Sequence, residues 1–286
     1  MMLATNIAAH WNLRPVPGRR EWRGDCPACG YDGAAVLSER NGRPLLWCAS
    51  CQDRDALLAT LKGVGGDVSP PAFAREPIPA AGDGWKRKRA LAVWNGAEPI
   101  SGTPAETYLR RRALPGLVCS PALRFRADTP RPGGGRHAAM LAQVVDVAGE
   151  PMAAHRTFLA PNGDKAPVEP VRASLGSVMG GAIRLAPAAP EIVIGEGIET
   201  SAAAGIILGL PAWSAISAGN LARALVLPPA VRSVVIAADH DPPGRRAADL
   251  AAERWRAEGR RVRIALPDRE GEDFADLLAR EAGHGR

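Results

Sequence analysis

Aromatic side chains are scarce in this 286-residue chain, at 5% of the residues. Much of the apolar content is Ala and Val, so any core is built from small side chains. Long apolar runs are missing too, and none approaches the roughly 20 residues of a membrane-spanning helix. Met1 to Trp11 shows no basic start followed by a long apolar stretch, so no secretory signal is expected. A cytoplasmic site and no membrane partner are the matching expectations. There is no Gly-rich phosphate loop ending in Lys-Ser/Thr, so no fused helicase motor is evident. Cysteine is limited to five residues, of which four form two tight pairs and Cys119 stands alone. In a cytoplasmic chain such pairs read as metal ligands rather than disulfides. Cys119 reads as a small buried apolar residue.

Hydrophobic residues make up 46% and charged residues 23%, the balance of a folded soluble protein. The net charge of +6 favours an acidic partner, most often nucleic acid. Composition divides the chain. Residues 1–62 hold the paired cysteines. Residues 63–84 are rich in Gly, Pro and Ala without periodicity, as in a linker. Residues 85–187 are basic and read as α+β. They comprise a helix opening at Trp85, a helix capped by Thr103 with Glu106 three residues on, and strands over 140–147 and 152–159. Residues 188–286 alternate strand and helix, which predicts a parallel sheet. Strands are expected at 191–195, 211–216, 233–238 and 261–266. Helices are expected at 199–208, 218–225, 242–258 and 273–281.

Cys26-Pro-Ala-Cys29 and Cys48-Ala-Ser-Cys51 flank eighteen residues. That spacing fits one structural, tetrahedral Zn²⁺, with the intervening stretch folded as a hairpin turning at Asn41-Gly42. The module also carries Arg19, Arg20, Arg23, Arg40 and Arg43, with Trp11, Trp22 and Trp47. Cations and exposed aromatics suit single-stranded nucleic acid, although Trp47 could equally belong to a small core.

In a parallel sheet the loops after the strand ends gather at one edge. Here those loops carry Glu196 between two glycines, Ser217 to Asn220, and Asp239-His240-Asp241. Two Asp two apart on an extended segment project to one side, where they can hold Mg²⁺ or Mn²⁺ for phosphoryl transfer. Either Asp alone would read as a cap for the helix at Pro242. Asp273 and Asp276 read by themselves as helix-start residues. Glu199 either positions Glu196 or begins its helix. Lys86, Arg87 and Lys88 form a charge run, and Arg110 heads another; each is a solvated face or a phosphate contact. Arg156 and Lys165, on or near the central hairpin, are the stronger basic candidates. His155 reads as a partly buried strand residue.

Taken together, these motifs resemble the Toprim-containing primase family of bacteria and phages. Gly195 to Thr200 resembles its first acidic motif, and Asp239-His240-Asp241 with Gly244 its second. Asp273 to Asp276 is similar to the terminal acidic motif of phage-type members, which adds Asp273 to the magnesium ligands. The cysteines resemble the zinc module in front of such cores, Tyr108-Leu109-Arg110 the start of the basic subdomain, and His155-Arg156 and Lys165 its basic positions. Pro242-Pro243 departs from the family's usual, less rigid connection.

The resemblance implies an α+β multidomain protein with a zinc-ribbon-like β module, a basic α+β subdomain and an α/β Toprim domain. It implies a primase joining nucleoside triphosphates on a single-stranded DNA template, with a separate replicative helicase as a further partner. Glu196 would serve as base or metal ligand, and Asp239 and Asp241 would hold Mg²⁺. Other readings are a Toprim nuclease, a topoisomerase using Tyr31 or Tyr108, and a non-catalytic single-strand binding accessory protein.

Overall fold

The computed structural model describes residues 4–31, 33–40, 43–48, 54–61 and 81–284. The chain divides into an N-terminal unit, Met1–Pro77, and a larger one made of Ile78–Ile216 and Asn220–Arg286. The sequence-predicted linker lies outside the described residues up to residue 80. Its last four positions already belong to a helix that opens at Ala81.

The N-terminal unit comprises α1 (Ala4–His10), β1 (Arg14–Pro15), β2 (Glu21–Gly24), β3 (Ala35–Arg40), β4 (Arg43–Cys48) and α2 (Arg54–Ala59). The strands form an antiparallel sheet in sequence order. Asn41 and Gly42 lie outside the described residues, but β3 and β4 pair up to Arg40 opposite Arg43. Ile7, Trp11, Leu37 and Leu57 fill the small core. Alternation along β4 turns Leu45 and Trp47 outward, leaving the Trp47 side chain 52% exposed.

The larger unit begins with α3 (Ala81–Asn95) and α4 (Pro104–Arg111). Thr103 caps α4 by accepting from Ala105 N, while Glu106 reaches back to Gly102 N. This is the expected capping pair shifted by one residue. A 3₁₀ turn over Pro115–Cys119 follows, and it turns Cys119 out to solvent. The expectation that Cys119 is buried is therefore corrected: a short turn on the surface has too little area to cover it.

Next come β5 (Leu123–Pro130), β6 (Arg136–Val145), β7 (Pro151–Phe158) and β8 (Arg172–Gly176), an antiparallel meander. Sequence patterning identified its middle two strands.

The rest of the unit is β9 (Ile183–Arg184), β10 (Glu191–Gly195), α5 (Ile198–Leu208), β11 (Ala212–Ser214), α6 (Ala218–Arg223), β12 (Ser233–Ala237), α7 (Pro242–Ala257), β13 (Arg261–Ala265) and α8 (Phe274–His284). The sheet runs β13-β12-β10-β11-β9, parallel except for β9. The interior strand β12 is buried at all five positions, as a strand covered on both faces requires. β13 exposes Arg261 and Arg263 at the edge. The helix α7 buries Ala248, Ala251, Ala252 and Trp255, the apolar face visible in its sequence. Pro242 and Pro243 occupy its first turn, where no N–H is needed for the helix ladder. One core runs through both sheets, from Tyr108 and Met140 to Val193 and Val235.

The chain leaves β10 in one direction to reach β11 and leaves β12 in the other to reach β13. Right-handed crossovers then place α5 and α7 on opposite faces. The order therefore switches between β10 and β12, and a crevice opens beyond their C-terminal ends. Asn220 braces this edge. Its Oδ1 accepts from Gly180 N at 2.9 Å, and its Nδ2 donates to the carbonyls of Gly181 and Ala215, each at 2.8 Å.

Asn220→Ala strips three backbone groups of their partner at a fully buried position. A loss of about 2–3 kcal/mol is expected, read as a lowered melting temperature.

Candidate active site and zinc centre

In the N-terminal unit the sulfurs of Cys26, Cys29 and Cys48 lie within 4.8 Å of one another, and Cys29 Sγ is 3.8 Å from Cys48 Sγ. Tetrahedral zinc with bonds of about 2.3 Å sets its sulfurs about 3.8 Å apart, so these donors fit the ion. The knuckle is formed by backbone bonds: Gly30 N donates to Cys26 O, and Cys26 N to Tyr31 O. The predicted fourth ligand, Cys51, lies outside the described residues.

In the larger unit the switch point gathers the acidic residues. Gly195 pairs with Ala237 across β10 and β12, so Glu196 and the segment entering Asp239 leave the sheet side by side. The Glu196 carbonyl accepts from Ser214 Oγ at 2.7 Å and Ile216 N at 2.8 Å, which ties the loop to β11. Ile216 itself has φ +75°, an unusual strain for a β-branched residue, at the rim of the crevice.

The loop of Asp239 to Asp241 is clamped to the loop that ends at Asp273. His240 N donates to Glu272 O at 3.1 Å, and Gly271 N donates to His240 O at 2.9 Å. His240 Nδ1 donates to Pro267 O, which leaves Nε2 to accept from Arg245. Behind the loop lies Gly244; a Cβ there would meet Asp239 O at 2.7 Å, so only glycine permits this approach.

Asp241 Oδ1 caps α7 by accepting from Gly244 N at 2.6 Å. Asp273 caps α8, accepting from Ala275 N and Asp276 N through Oδ1, while its Oδ2 accepts from Thr200 Oγ1 at 3.1 Å. Both residues thus have the structural role anticipated for them, at the same place where acids converge.

Asp239 is different. Its Oδ1 is buried without a hydrogen-bond partner. Burial, then the charges of Asp273 and Asp241, raise its pKa to about 6. A buried carboxylate oxygen with no donor, under the influence of two more carboxylates, could take a hard divalent cation, although among the described residues only the three cysteines bring their donor atoms within 4.8 Å of one another.

The facing side is cationic. Arg172, at the start of β8, pairs with Glu199 of α5 at 3.2 Å. Tyr108 of α4 is fully buried and donates its hydroxyl to Glu199 Oε1. Arg112 stacks 3.9 Å above the Tyr108 ring. Burial works to raise the pKa of Glu199, but Arg172 and the Tyr108 hydroxyl outweigh it and hold the group below the usual carboxylate range. Burial likewise opposes the Arg172 charge, and Glu199 overcomes it, so the guanidinium pKa is raised. Burial and Arg172 lower Lys165, and they take His155 down to about 4, so the imidazole is neutral. The turn that presents Lys165 hinges on Gly163, at φ +84°, where a Cβ would meet Thr107 Cβ at 2.7 Å.

The other basic candidates are distributed differently. Arg156 is 4% exposed, and its guanidinium donates to the carbonyls of Ala173, Pro130 and Ser174. It binds strands of the meander together. Arg110 pairs with Glu106 on the exposed face of α4. Lys86, Arg87 and Lys88 are exposed on α3, with Arg87 Nε donating to Pro151 O. Sequence reasoning missed Arg172 and the partnership of Tyr108 with Glu199. The one available signal was Tyr108, one of two tyrosines in the chain.

Two outcomes follow from this geometry. The purified chain should hold about one zinc equivalent, and Cys26→Ser should abolish its retention in a metal assay. Asp239, with its pKa raised, binds a proton more tightly folded than unfolded. Stability of the metal-free protein therefore falls as pH rises from about 4 to about 6, and the full penalty stands above that window. Asp239→Asn should raise the melting temperature at pH 7.5 and do so far less at pH 4.

The family model of a Toprim domain matches residues 191–284, and that of a domain of unknown function (DUF7146) matches residues 84–185. No curated protein matches in sequence. Among solved structures, the chain is similar to a DNA primase domain from Pseudomonas aeruginosa, at 17% identity and TM-score 0.47, over 70% of this chain and 77% of that one. It is similar to the primase fragment of the bacteriophage T7 primase-helicase protein, at 16% identity and TM-score 0.45, over 92% and 95%. It is similar also to the Aquifex aeolicus primase, zinc-binding and RNA polymerase domains, at 12% identity and TM-score 0.46, over 99% and 82%. The sheet order, the acids at its switch point and the family match agree that residues 191–284 are a Toprim domain, and the chain is a Toprim-containing protein.

Proposed function

We propose that this protein is a DNA primase that joins nucleoside triphosphates on a single-stranded DNA template. The observation that carries the phosphoryl-transfer part is the orphaned, buried oxygen of Asp239 at the Toprim switch point. Asp239, Asp241 and Glu196 would hold Mg²⁺ or Mn²⁺, with Asp273 beside them. The ion would neutralise phosphate charge. Glu196, half-buried at the end of β10, serves as proton acceptor or metal ligand. The cations around Lys165 and Arg172 face polyanionic substrates from the other side. Trp47, exposed on the zinc-module sheet, gives an unpaired base a ring to stack on, with Leu45 as an apolar neighbour on the same face. A cysteine cluster in front of a Toprim domain, with a basic α+β subdomain between, favours template-directed synthesis over a nuclease.

A topoisomerase using Tyr108 meets a physical obstacle. Tyr108 is buried, its hydroxyl is committed to Glu199, and burial followed by the Glu199 charge raises its pKa. A phenol so placed is a poor nucleophile. A non-catalytic binding role leaves the strained gathering of acids without a purpose.

The test is primer synthesis on single-stranded DNA with labelled nucleoside triphosphates and Mg²⁺. Short labelled products are expected from the wild type and a loss of at least about 100-fold from Asp239→Ala with Asp241→Ala. Shortened DNA in place of primers would mean a nuclease. Tight DNA binding with neither product would leave only a binding protein.

A further inference from the structure

Glu199 is the most deeply buried carboxylate near the site, at 6% exposure, and its partners come from α4 and β8. Its two partners come from distant parts of the chain: Tyr108 precedes it by 91 residues, and Arg172 opens the last strand of the meander. The neighbouring residue, Thr200, is hydrogen-bonded to Asp273. Consecutive residues of α5 therefore hold the cationic side and the acidic side of the crevice.

Several cations gather on this side, and the carboxylate that pairs directly with one of them is Glu199. Arg172 and Lys165 both act on Glu199, Arg112 lies over the Tyr108 ring beside them, and Lys165 makes no ion pair among the described residues. Arg172 keeps 41% of its side chain exposed while its partner carboxylate is sealed. A guanidinium carries five donors in a rigid fork, and the buried pairing with Glu199 fixes its plane while leaving donors to the solvent side. An anion with several oxygens, bound across Arg172 and Lys165, would relieve the repulsion between them.

We infer that Tyr108 and Glu199 are positioning residues which lock the Arg172 guanidinium at the rim of the crevice, and that Arg172 there receives the triphosphate of a nucleotide. The assignment rests on the primase reading for its ligand class. Glu199 acts through Arg172 and is not a metal ligand. The sign of its effect separates positioning from simple electrostatics. Removing a negative charge next to a phosphate site strengthens anion binding if field alone matters. It weakens binding if the carboxylate's work is to hold the fork in place.

The experiment measures affinity of the full chain for ATP with Mg²⁺, and separately for single-stranded DNA, by titration calorimetry or fluorescence. Glu199→Gln and Arg172→Lys are each expected to weaken ATP binding about tenfold, and the double variant no further than either one. DNA affinity should stay unchanged. Glu199→Gln tightening ATP, or leaving it unaltered in a folded protein, overturns the inference. A parallel loss of DNA affinity in Arg172→Lys also overturns it, because Arg172 would then meet the template backbone. If Glu199→Gln fails to fold, Tyr108→Phe removes a single hydroxyl and should raise the ATP dissociation constant in the same direction. No ATP binding by the wild type defeats the assignment outright. ATP binding that responds as expected in a protein that makes no primers defeats the primase reading and leaves this one standing.

Discussion

Like charges brought to one edge of a sheet repel, and much of the larger unit is arranged to withstand that repulsion. Asp241 and Asp273 act on Asp239 in a half-buried space, and the cost appears in the proton affinity of Asp239. Three devices keep them together. The β10–β12 register fixes where the loops leave the sheet. The reciprocal hydrogen bonds of His240 with Glu272 and Gly271 join the loops themselves. The helix starts of α7 and α8 take up one carboxylate oxygen each, from Asp241 and Asp273. Without these constraints the acids would move apart and solvate. Destabilisation retained at one place in an otherwise well-packed domain is the usual mark of a functional site.

The buried Tyr108–Glu199–Arg172 group has a matching role between the two sheets. Removing either ion of a buried pair leaves its partner uncompensated, which is costly. The pairing therefore makes the placement of α4, α5 and β8 interdependent. It also places the cationic rim at a fixed offset from the acids, since Thr200 and Glu199 are adjacent on one helix.

Much of this was legible in the sequence because its signals are local. Cysteine spacing, the buried run of β12, the alanine face of α7 and the acids after strand ends all depend on neighbours within a few residues. Helix boundaries at Thr103 and Pro242 could be read from capping chemistry. The missing parts are those where distant segments meet. Arg172 sits in an unremarkable stretch and gains its place from β7–β8 pairing. Tyr108 and Glu199 carry no mark of each other. Arg156 looked as available as Lys165, but three carbonyls supplied by the meander occupy its guanidinium. The short strands β8 and β9 lack both length and strict alternation, and β5 alternates only over Leu123 to Arg126 before its exposed stretch, so patterning passed over them.

The two prolines at the start of α7 have an effect of their own. A helix ordinarily begins with a crown of N–H groups whose partial positive charge welcomes anions. Pro242 and Pro243 supply no N–H, so the first donor that Asp241 meets is Gly244. The crown is blunted where the carboxylates gather. Their negative charge is less quenched by the backbone and stays available to an incoming cation, while phosphate finds little to attract it on that side. The crevice thus acquires a polarity along its length, with cations drawn to one wall and anions to the other.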